Sequence, residues 1–159
     1  MRVITGTARG RKLNTLEGLD VRPTTDQVKE AMFSIIQFEV EGAAVLDLFA
    51  GSGQLGIEAL SRGARLAVLV EQSRKAGGVV RQSLLATRLA EHSRVTAMDA
   101  IAYLQGCRDH FDIALLDPPY RSGLLEKALP LLAPKMTPGG VILCESALDE
   151  ELPQKVGAF

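Results

Sequence analysis

Ala44-Val45-Leu46-Asp47-Leu48-Phe49 runs straight into Ala50-Gly51-Ser52-Gly53-Gln54-Leu55-Gly56. The first six residues are apolar apart from one carboxylate, which predicts a buried strand. Gly51, Gly53 and Gly56 form a G-x-G-x-x-G turn, and Leu55, Ala59 and Leu60 then form the inward face of a helix over 53–63. Strand, glycine turn and helix in that order point to an α/β fold. Glycine at such a turn permits positive φ and lets a ligand approach the backbone closely. The pattern alone is a weak sign of a ligand, because a tight strand-to-helix turn also explains it.

Outward from this turn the alternation continues. Residues 66–70 read as a second strand ending at Glu71. Residues 73–89 read as a helix weakened by Gly77 and Gly78, about 1 kcal/mol each relative to alanine. A third strand covers 94–98 and ends at Asp99, a short helix covers 100–105, and a fourth strand covers 111–116. Residues 124–132 are helical, stopping near Pro134, and Pro138-Gly139-Gly140 is expected to turn the chain into a fifth strand over 141–144. Upstream, Thr24 and Gln27 have capping-box spacing, and Val28, Ala31, Met32, Ile35 and Ile36 make one apolar stripe. Residues 2–22 hold two extended patterns, 2–7 and 11–16, punctuated by Gly6, Gly10 and Gly18, and read as a hairpin arm. The expected organisation is an arm over 1–22 and a cofactor domain over 23–159, compact together. The sheet is expected to be mostly parallel, with helices on both faces.

A chain of 159 residues suits one domain. Its 47% apolar and 23% charged content is that of a soluble globular protein. No apolar stretch approaches a membrane span and no signal-peptide core stands at the start, so a cytoplasmic location is expected. Cys107 and Cys144 lack metal-type spacing; Cys144 reads as a buried small hydrophobe, and two scattered thiols fit a reducing compartment. No metal is expected. His92 and His110 have no partner pattern and read as surface residues. The net charge of −1 argues against indiscriminate nucleic-acid binding. Residues 1–12 nonetheless hold Arg2, Arg9, Arg11 and Lys12 and no acid. Such an arm can supply phosphate contacts, with a solvated charged face as the alternative.

In parallel sheets of this kind ligands bind beyond the C-terminal strand ends, where the strand order switches. Asp47, Glu71, Asp99 and Asp117 all fall at or near predicted strand ends, and that shared position outweighs any one of them. Asp47 beside the glycine turn suits a cationic ligand better than an anionic one. S-Adenosylmethionine matches, with its ribose at Glu71, its adenine near Asp99 and its ammonium near Asp47. Taken singly, each acid could equally be a solvated strand end.

Asp117-Pro118-Pro119-Tyr120 follows the apolar run Ile113-Ala114-Leu115-Leu116. An acid, two residues without N–H groups and an aromatic ring are thus presented together at a strand tip. That suits a planar amine, with acceptors for its N–H groups and a flat surface for its ring. Such an amine is a poor nucleophile because its lone pair is delocalised. The Asp117 carboxylate and the Pro118 carbonyl can each accept one amine hydrogen, which favours pyramidal nitrogen. The prolines stiffen the loop, and Tyr120 can stack on the base for about 1–3 kcal/mol. An Asp-Pro-Pro turn with a packing tyrosine is the bland alternative.

The stretch Val45-Leu46-Asp47-Leu48-Phe49-Ala50-Gly51-Ser52-Gly53 resembles the first cofactor motif of Rossmann-like class I methyltransferases. Asp117-Pro118-Pro119-Tyr120 resembles the catalytic motif of those that methylate exocyclic amines of bases. With Arg9-Gly10-Arg11-Lys12-Leu13 and Arg22-Pro23-Thr24-Thr25-Asp26-Gln27-Val28-Lys29-Glu30-Ala31-Met32-Phe33, the chain is similar over nearly its whole length to the RsmD family, which methylates N2 of a guanine in 16S ribosomal RNA. The resemblance implies S-adenosylmethionine contacts at Phe49, Ala50, Gly51, Ser52 and Gly53, at Asp99 with Ala100, and at Thr24. It implies catalysis by Asp117, Pro118, Pro119 and Tyr120, without a metal. The implied partner is 16S rRNA in a small-subunit assembly particle, and the implied enzyme a monomer. RNA phosphates fall to Arg2, Arg9, Arg11, Lys12 and Arg121, and to Arg22, for which a structural role beside the cofactor is the alternative. The target base must be unpaired or flipped.

Two features depart from the family. It normally has about two further strands after residues 141–144, and residues 146–159 suffice for one short element, so the C-terminal edge strands are expected to be missing and the edge open to pairing. Met98 stands where glycine is usual. Competing functions are DNA adenine-N6 methylation, disfavoured by the lack of an inserted recognition domain, and protein glutamine methylation, for which Asn is expected at 117. A catalytically weak, cofactor-binding ribosome assembly factor is the alternative of a different class.

Overall fold

The computed structural model describes residues 1–14, 25–146 and 150–159. Its sheet comprises β1 (Ala44–Asp47), β2 (Leu66–Val70), β3 (Ser93–Thr96), β4 (Phe111–Leu116) and β5 (Met136–Cys144), in the order β3-β2-β1-β4-β5. Every pairing is parallel. The helices are α1 (Asp26–Ile35), α2 (Gln54–Ser61), α3 (Arg74–Ala86), α4 (Ala100–Gly106) and α5 (Leu124–Leu132). The chain steps outward from β1 to β3, then returns to β4 beside β1. The switch between β1 and β4 leaves a crevice beyond their C-terminal ends, the ligand position of this Rossmann-like architecture.

Alternate strand side chains enter two cores. Val45, Leu69, Ile113 and Leu115 join Phe33, Ile36, Leu55, Val80 and Leu84; Leu46, Val68, Ala114 and Leu116 join Tyr103, Leu104, Ala128 and Leu132. Cover on both faces is the reason the strands are apolar without alternation. The expected bounds of the second and fourth strands and of the helix over 124–132 are those observed. The fifth strand differs. It begins at Met136, and Pro138-Gly139-Gly140 interrupts it rather than preceding it: Phe111 pairs with Met136 but Ile113 with Val141. A proline that cannot donate and Gly139 at φ +78° account for the irregularity.

The first helix is capped by Thr25, whose Oγ1 accepts from the Val28 N–H at 3.2 Å. The expected cap, Thr24, lies outside the described residues, as do Arg22 and the last two residues of the second extended pattern. The buried face of α1 is Lys29, Met32 and Phe33, continued by Ile36, whereas Ala31 and Ile35 are exposed. A lysine therefore takes a place in the stripe, because it has a buried partner on α2. The two extended segments of the arm pair antiparallel, as expected of a hairpin, but only briefly among the described residues. The pairing is one bridge, Arg2 with Lys12, flanked by Val3 N–H to Arg11 O at 3.0 Å and Leu13 N–H to Met1 O at 3.0 Å. The backbone between turns away to bind α2: Thr7 N–H reaches Ser61 O at 2.8 Å, and Ala8 N–H reaches Ser61 Oγ at 3.0 Å. Gly6, at φ +94°, passes so close that a Cβ would lie 1.8 Å from the Ser61 carbonyl oxygen.

Cys107 is buried, while Cys144 is half-buried with its thiol pushed up to about 11 by burial. His92 and His110 are exposed. Among the described residues no helix is long and apolar enough to cross a membrane.

Candidate active site

A cleft of about 390 Å³ opens beyond the C-terminal ends of the central strands. The glycine turn forms one wall. Gly51 and Gly53 take φ +56° and +85°, conformations that side chains resist. Ala50 N–H bonds to Val70 O at 3.0 Å and Gly53 N–H to Ala50 O at 2.7 Å, so the turn is tied to β2 and closed on itself. Gly56 sits against β2, where a Cβ would lie 2.7 Å from Leu69 Cδ2. The three glycines thus answer to two causes: backbone conformation at 51 and 53, and close packing at 56.

Glu71, at the end of β2, accepts the Gly51 N–H at 3.2 Å and lines the cleft, its carboxyl raised above the usual range by burial. Asp99 caps α4, accepting the Ala102 N–H at 3.0 Å, and lines the cleft with Ala100 and Met98. Phe49, Ala50, Gly51 and Ser52 also line it. Asp47 does not. It is fully buried beneath the turn, where Oδ2 accepts the Gly56 N–H at 2.9 Å and Oδ1 has no hydrogen-bond partner among the described residues. Burial pushes its carboxyl up to about 7, and the charges of Asp117 and Glu71 add to the effect. Gly53 likewise lies behind the lining.

The second wall is the strand-tip loop. Asp117 and the buried Pro118 leave β4, and Pro119 and Tyr120 project into solvent, all four on the cleft. Tyr120 OH donates to Glu145 Oε1 at 2.9 Å, beyond the end of β5. Ser122 Oγ donates to the carbonyl of Pro119, not of Pro118, at 2.8 Å. Arg121 takes φ +56°, its N–H donating to the Glu150 carboxylate, and lines a smaller cavity behind the loop. The basic arm lies apart from the cleft lining. Arg2, Arg9 and Lys12 are exposed, and the Arg11 guanidinium caps α3 by donating to Ala86 O at 2.9 Å. Arg11 therefore has structural work that its sequence position does not reveal.

The sequence patterns did not assign Gln54, Gln72 or Leu124 to the site and read Leu55 only as core, yet all four line the cleft. Nor did they mark Glu58 and Lys29, both fully buried and 3.6 Å apart. A charged residue within an apolar helical stripe, as at Lys29, was the available signal. Among the described residues no cluster of three or more His, Cys, Asp or Glu side chains could hold a metal ion.

The family model for conserved hypothetical protein 95 matches residues 1–159. Ribosomal RNA small subunit methyltransferase D of Escherichia coli K12 is 40% identical over 158 residues, covering 96% of this chain and 78% of that protein. The protein of the same name from Haemophilus influenzae is 34% identical, with 96% and 81% covered. A solved Escherichia coli structure, yhhF, superposes with a TM-score of 0.88 at 40% identity over 99% of this chain and 86% of that one. The glycine wall, the acid at the end of β2 and the Asp-Pro-Pro-Tyr tip thus occur in a chain that belongs to the conserved hypothetical protein 95 family, the family of ribosomal RNA small subunit methyltransferase D.

Proposed function

We propose that this rRNA methyltransferase transfers a methyl group from S-adenosylmethionine to the exocyclic N2 amine of a guanine in small-subunit ribosomal RNA. The observation that carries the reading is the cleft itself, with the glycine turn and Glu71 on one wall and Asp117 to Tyr120 on the other. The family membership and the small-subunit rRNA relatives support the substrate.

The residues present fit the cofactor. The cleft is lined by the carboxyl groups of Glu71, Asp99 and Asp117, an environment that favours a cation. On this reading Glu71 would hold the ribose hydroxyls, Asp99 and Ala100 the adenine, and Phe49 to Gly53 the amino-acid portion. S-Adenosylmethionine, when bound, supplies a methyl carbon made electrophilic by its positive sulfur. The chain's own work lies at the amine. Asp117 and the Pro118 carbonyl each accept one amine hydrogen, so the nitrogen lone pair leaves the ring's conjugation and faces the methyl. The Asp117 carboxylate would take the surplus proton from the nitrogen once that nitrogen carries the methyl group. Acceptors fixed by proline need little reorganisation. Tyr120 would stack on the base. Residues 1–22 serve as an RNA-facing arm for the domain over 23–159, with Arg2, Arg9, Lys12 and Arg121 toward phosphate. The protein would act as a cytoplasmic monomer on an assembly particle.

The test is transfer of labelled methyl from S-adenosylmethionine to unmodified small-subunit particles, with the modified nucleotide mapped. N2-methylguanosine is expected; equal labelling of adenine in duplex DNA would overturn the RNA assignment. Glu71→Ala is expected to weaken cofactor affinity about tenfold or more through lost charged hydrogen bonds, measured by calorimetry, and an unchanged affinity removes Glu71 from the site.

A further inference from the structure

Two charged side chains of full burial stand outside the cleft, Lys29 on α1 and Glu58 on α2. The Glu58 carboxylate accepts from Ile4 N–H at 2.8 Å, Thr5 N–H at 3.0 Å and Arg62 Nε at 2.9 Å, with Lys29 Nζ at 3.6 Å. Lys29 Nζ donates to the Arg2 carbonyl at 2.6 Å. Desolvation lowers the affinity of Lys29 for its proton, and Glu58 opposes that shift. Burying such charges is costly, and an apolar pair of similar volume commonly serves stability as well. The arm already has apolar anchors in Val3, Ala8 and Leu13. What the charges add is direction: they bind the backbone at residues 2, 4 and 5 and so fix the arm's register along α2.

That helix is not neutral ground. It begins at the glycine turn, with Gly53 as its cap, and Met1 Sδ accepts from Ser52 Oγ of the same turn at 3.5 Å. One rigid element therefore carries the cleft wall at its start and the arm along its length. Arg2, Arg9 and Lys12 remain exposed on that arm.

We propose that the Lys29–Glu58–Arg62 cluster, built on the buried Lys29 and Glu58, is a positioning device for the RNA: it holds the arm's exposed cations at a set distance from the cleft, so that a phosphate backbone seated on them delivers its base to Asp117. This rests on the reading of RNA as substrate given above. None of the three residues is catalytic.

The experiment uses the full chain as wild type, as Glu58→Gln, and as the volume-conserving pair Lys29→Met with Glu58→Gln, which leaves no unpaired lysine buried and protects the fold. Amide exchange at Ile4 and Thr5, unfolding midpoint, cofactor Kd, and KM and kcat on unmodified small-subunit particles are measured. In both variants exchange at the two amides is expected to rise about tenfold and KM for RNA about tenfold through loss of uniform binding, with cofactor Kd within about twofold. The double variant is expected to regain stability but not RNA affinity, a split that a merely structural cluster does not produce. A KM that recovers together with stability, or a Glu58→Gln protein with wild-type KM, overturns the inference alone. Wild-type protein that labels no RNA overturns the substrate reading first and this inference with it.

Discussion

Gly53 and Gly123 hold the same post on the two central strands. Each caps the helix that follows, α2 after β1 and α5 after β4, at φ +85°, ψ 9° and φ +74°, ψ 4°. Their surroundings are opposite. A Cβ on Gly53 would meet Val80 at 2.9 and 3.1 Å and Leu69 at 3.3 Å, while a Cβ on Gly123 would meet nothing within 4 Å. The first wall of the cleft is continuous with the core. The second leaves the core at Pro118 and is tied by contacts of exposed residues, Tyr120 to Glu145 and Arg121 to Glu150. A wall set in the core suits a small ligand of one shape, and a loop over solvent suits a base that arrives attached to a macromolecule.

The largest effect separates the walls by chemistry. Asp117→Ala is expected to lower turnover about 10²- to 10³-fold, the scale of one preorganised polar contact at a reacting centre. Single-turnover labelling reads the loss, and cofactor affinity by calorimetry should stay within about twofold, as the role proposed for Asp117 at the amine requires. Turnover surviving within a few-fold would mean that the second wall is not where the chemistry lies. Next comes the packing contrast. Gly53→Ala is expected to cost about 2–3 kcal/mol, from strain at positive φ plus overlap with Val80 and Leu69, and Gly123→Ala about 1 kcal/mol, from strain alone. Urea midpoints compare them directly, and equal costs would erase the distinction between a wall in the core and a wall outside it.

A third test uses the burial of the first wall. Asp47 keeps its proton to about pH 7 in the folded chain, against an ordinary carboxyl value of 3.8. Between those values the folded state holds a proton that the unfolded chain has released, so stability falls as pH rises from about 4 to 7 and levels off above. Asp47→Asn, which can still accept the Gly56 N–H, should remove that contribution, at most about 1.4 kcal/mol per pH unit. Unfolding midpoints at pH 5, 6, 7 and 8 check it. A slope unchanged by the substitution would show that the carboxyl is ionised throughout and that the space beneath the glycine turn is more polar than its packing implies.

The same contrast decides what could be read from the residues alone. Strands covered on both faces announce themselves as apolar runs, so 66–70 and 111–116 came out with their observed bounds. The glycine turn was legible because positive φ leaves few choices of residue. Asp47 was placed correctly in the order of the chain but not in depth: being at a strand end does not say whether a side chain points into the cleft or under its wall. The pieces that escaped are those made by partners distant in sequence. Lys29 turns inward only because Glu58 is there, 29 positions later, and Arg11 caps a helix that ends at Ala86. The cap of α1 is Thr25, one residue from the expected position, a difference that local spacing does not resolve.

The smallest expected effect bears on how firmly the second wall is held. Tyr120→Phe keeps the ring but deletes the hydroxyl that donates to Glu145 Oε1. The bond joins exposed groups, so its loss should cost about 0.5–1 kcal/mol, a two- to fivefold rise in KM for RNA with cofactor Kd unchanged. Tyr120→Leu removes the stacking face as well and should cost more, by about 1–3 kcal/mol. The order of the two substitutions is the informative result. If the phenylalanine variant loses as much as the leucine variant, the ring matters only as something Glu145 holds in place, and the loop is as rigidly built as the glycine turn. If phenylalanine is near wild type while leucine is impaired, the ring itself meets the base, and the second wall works through its surface, free to settle around what it receives.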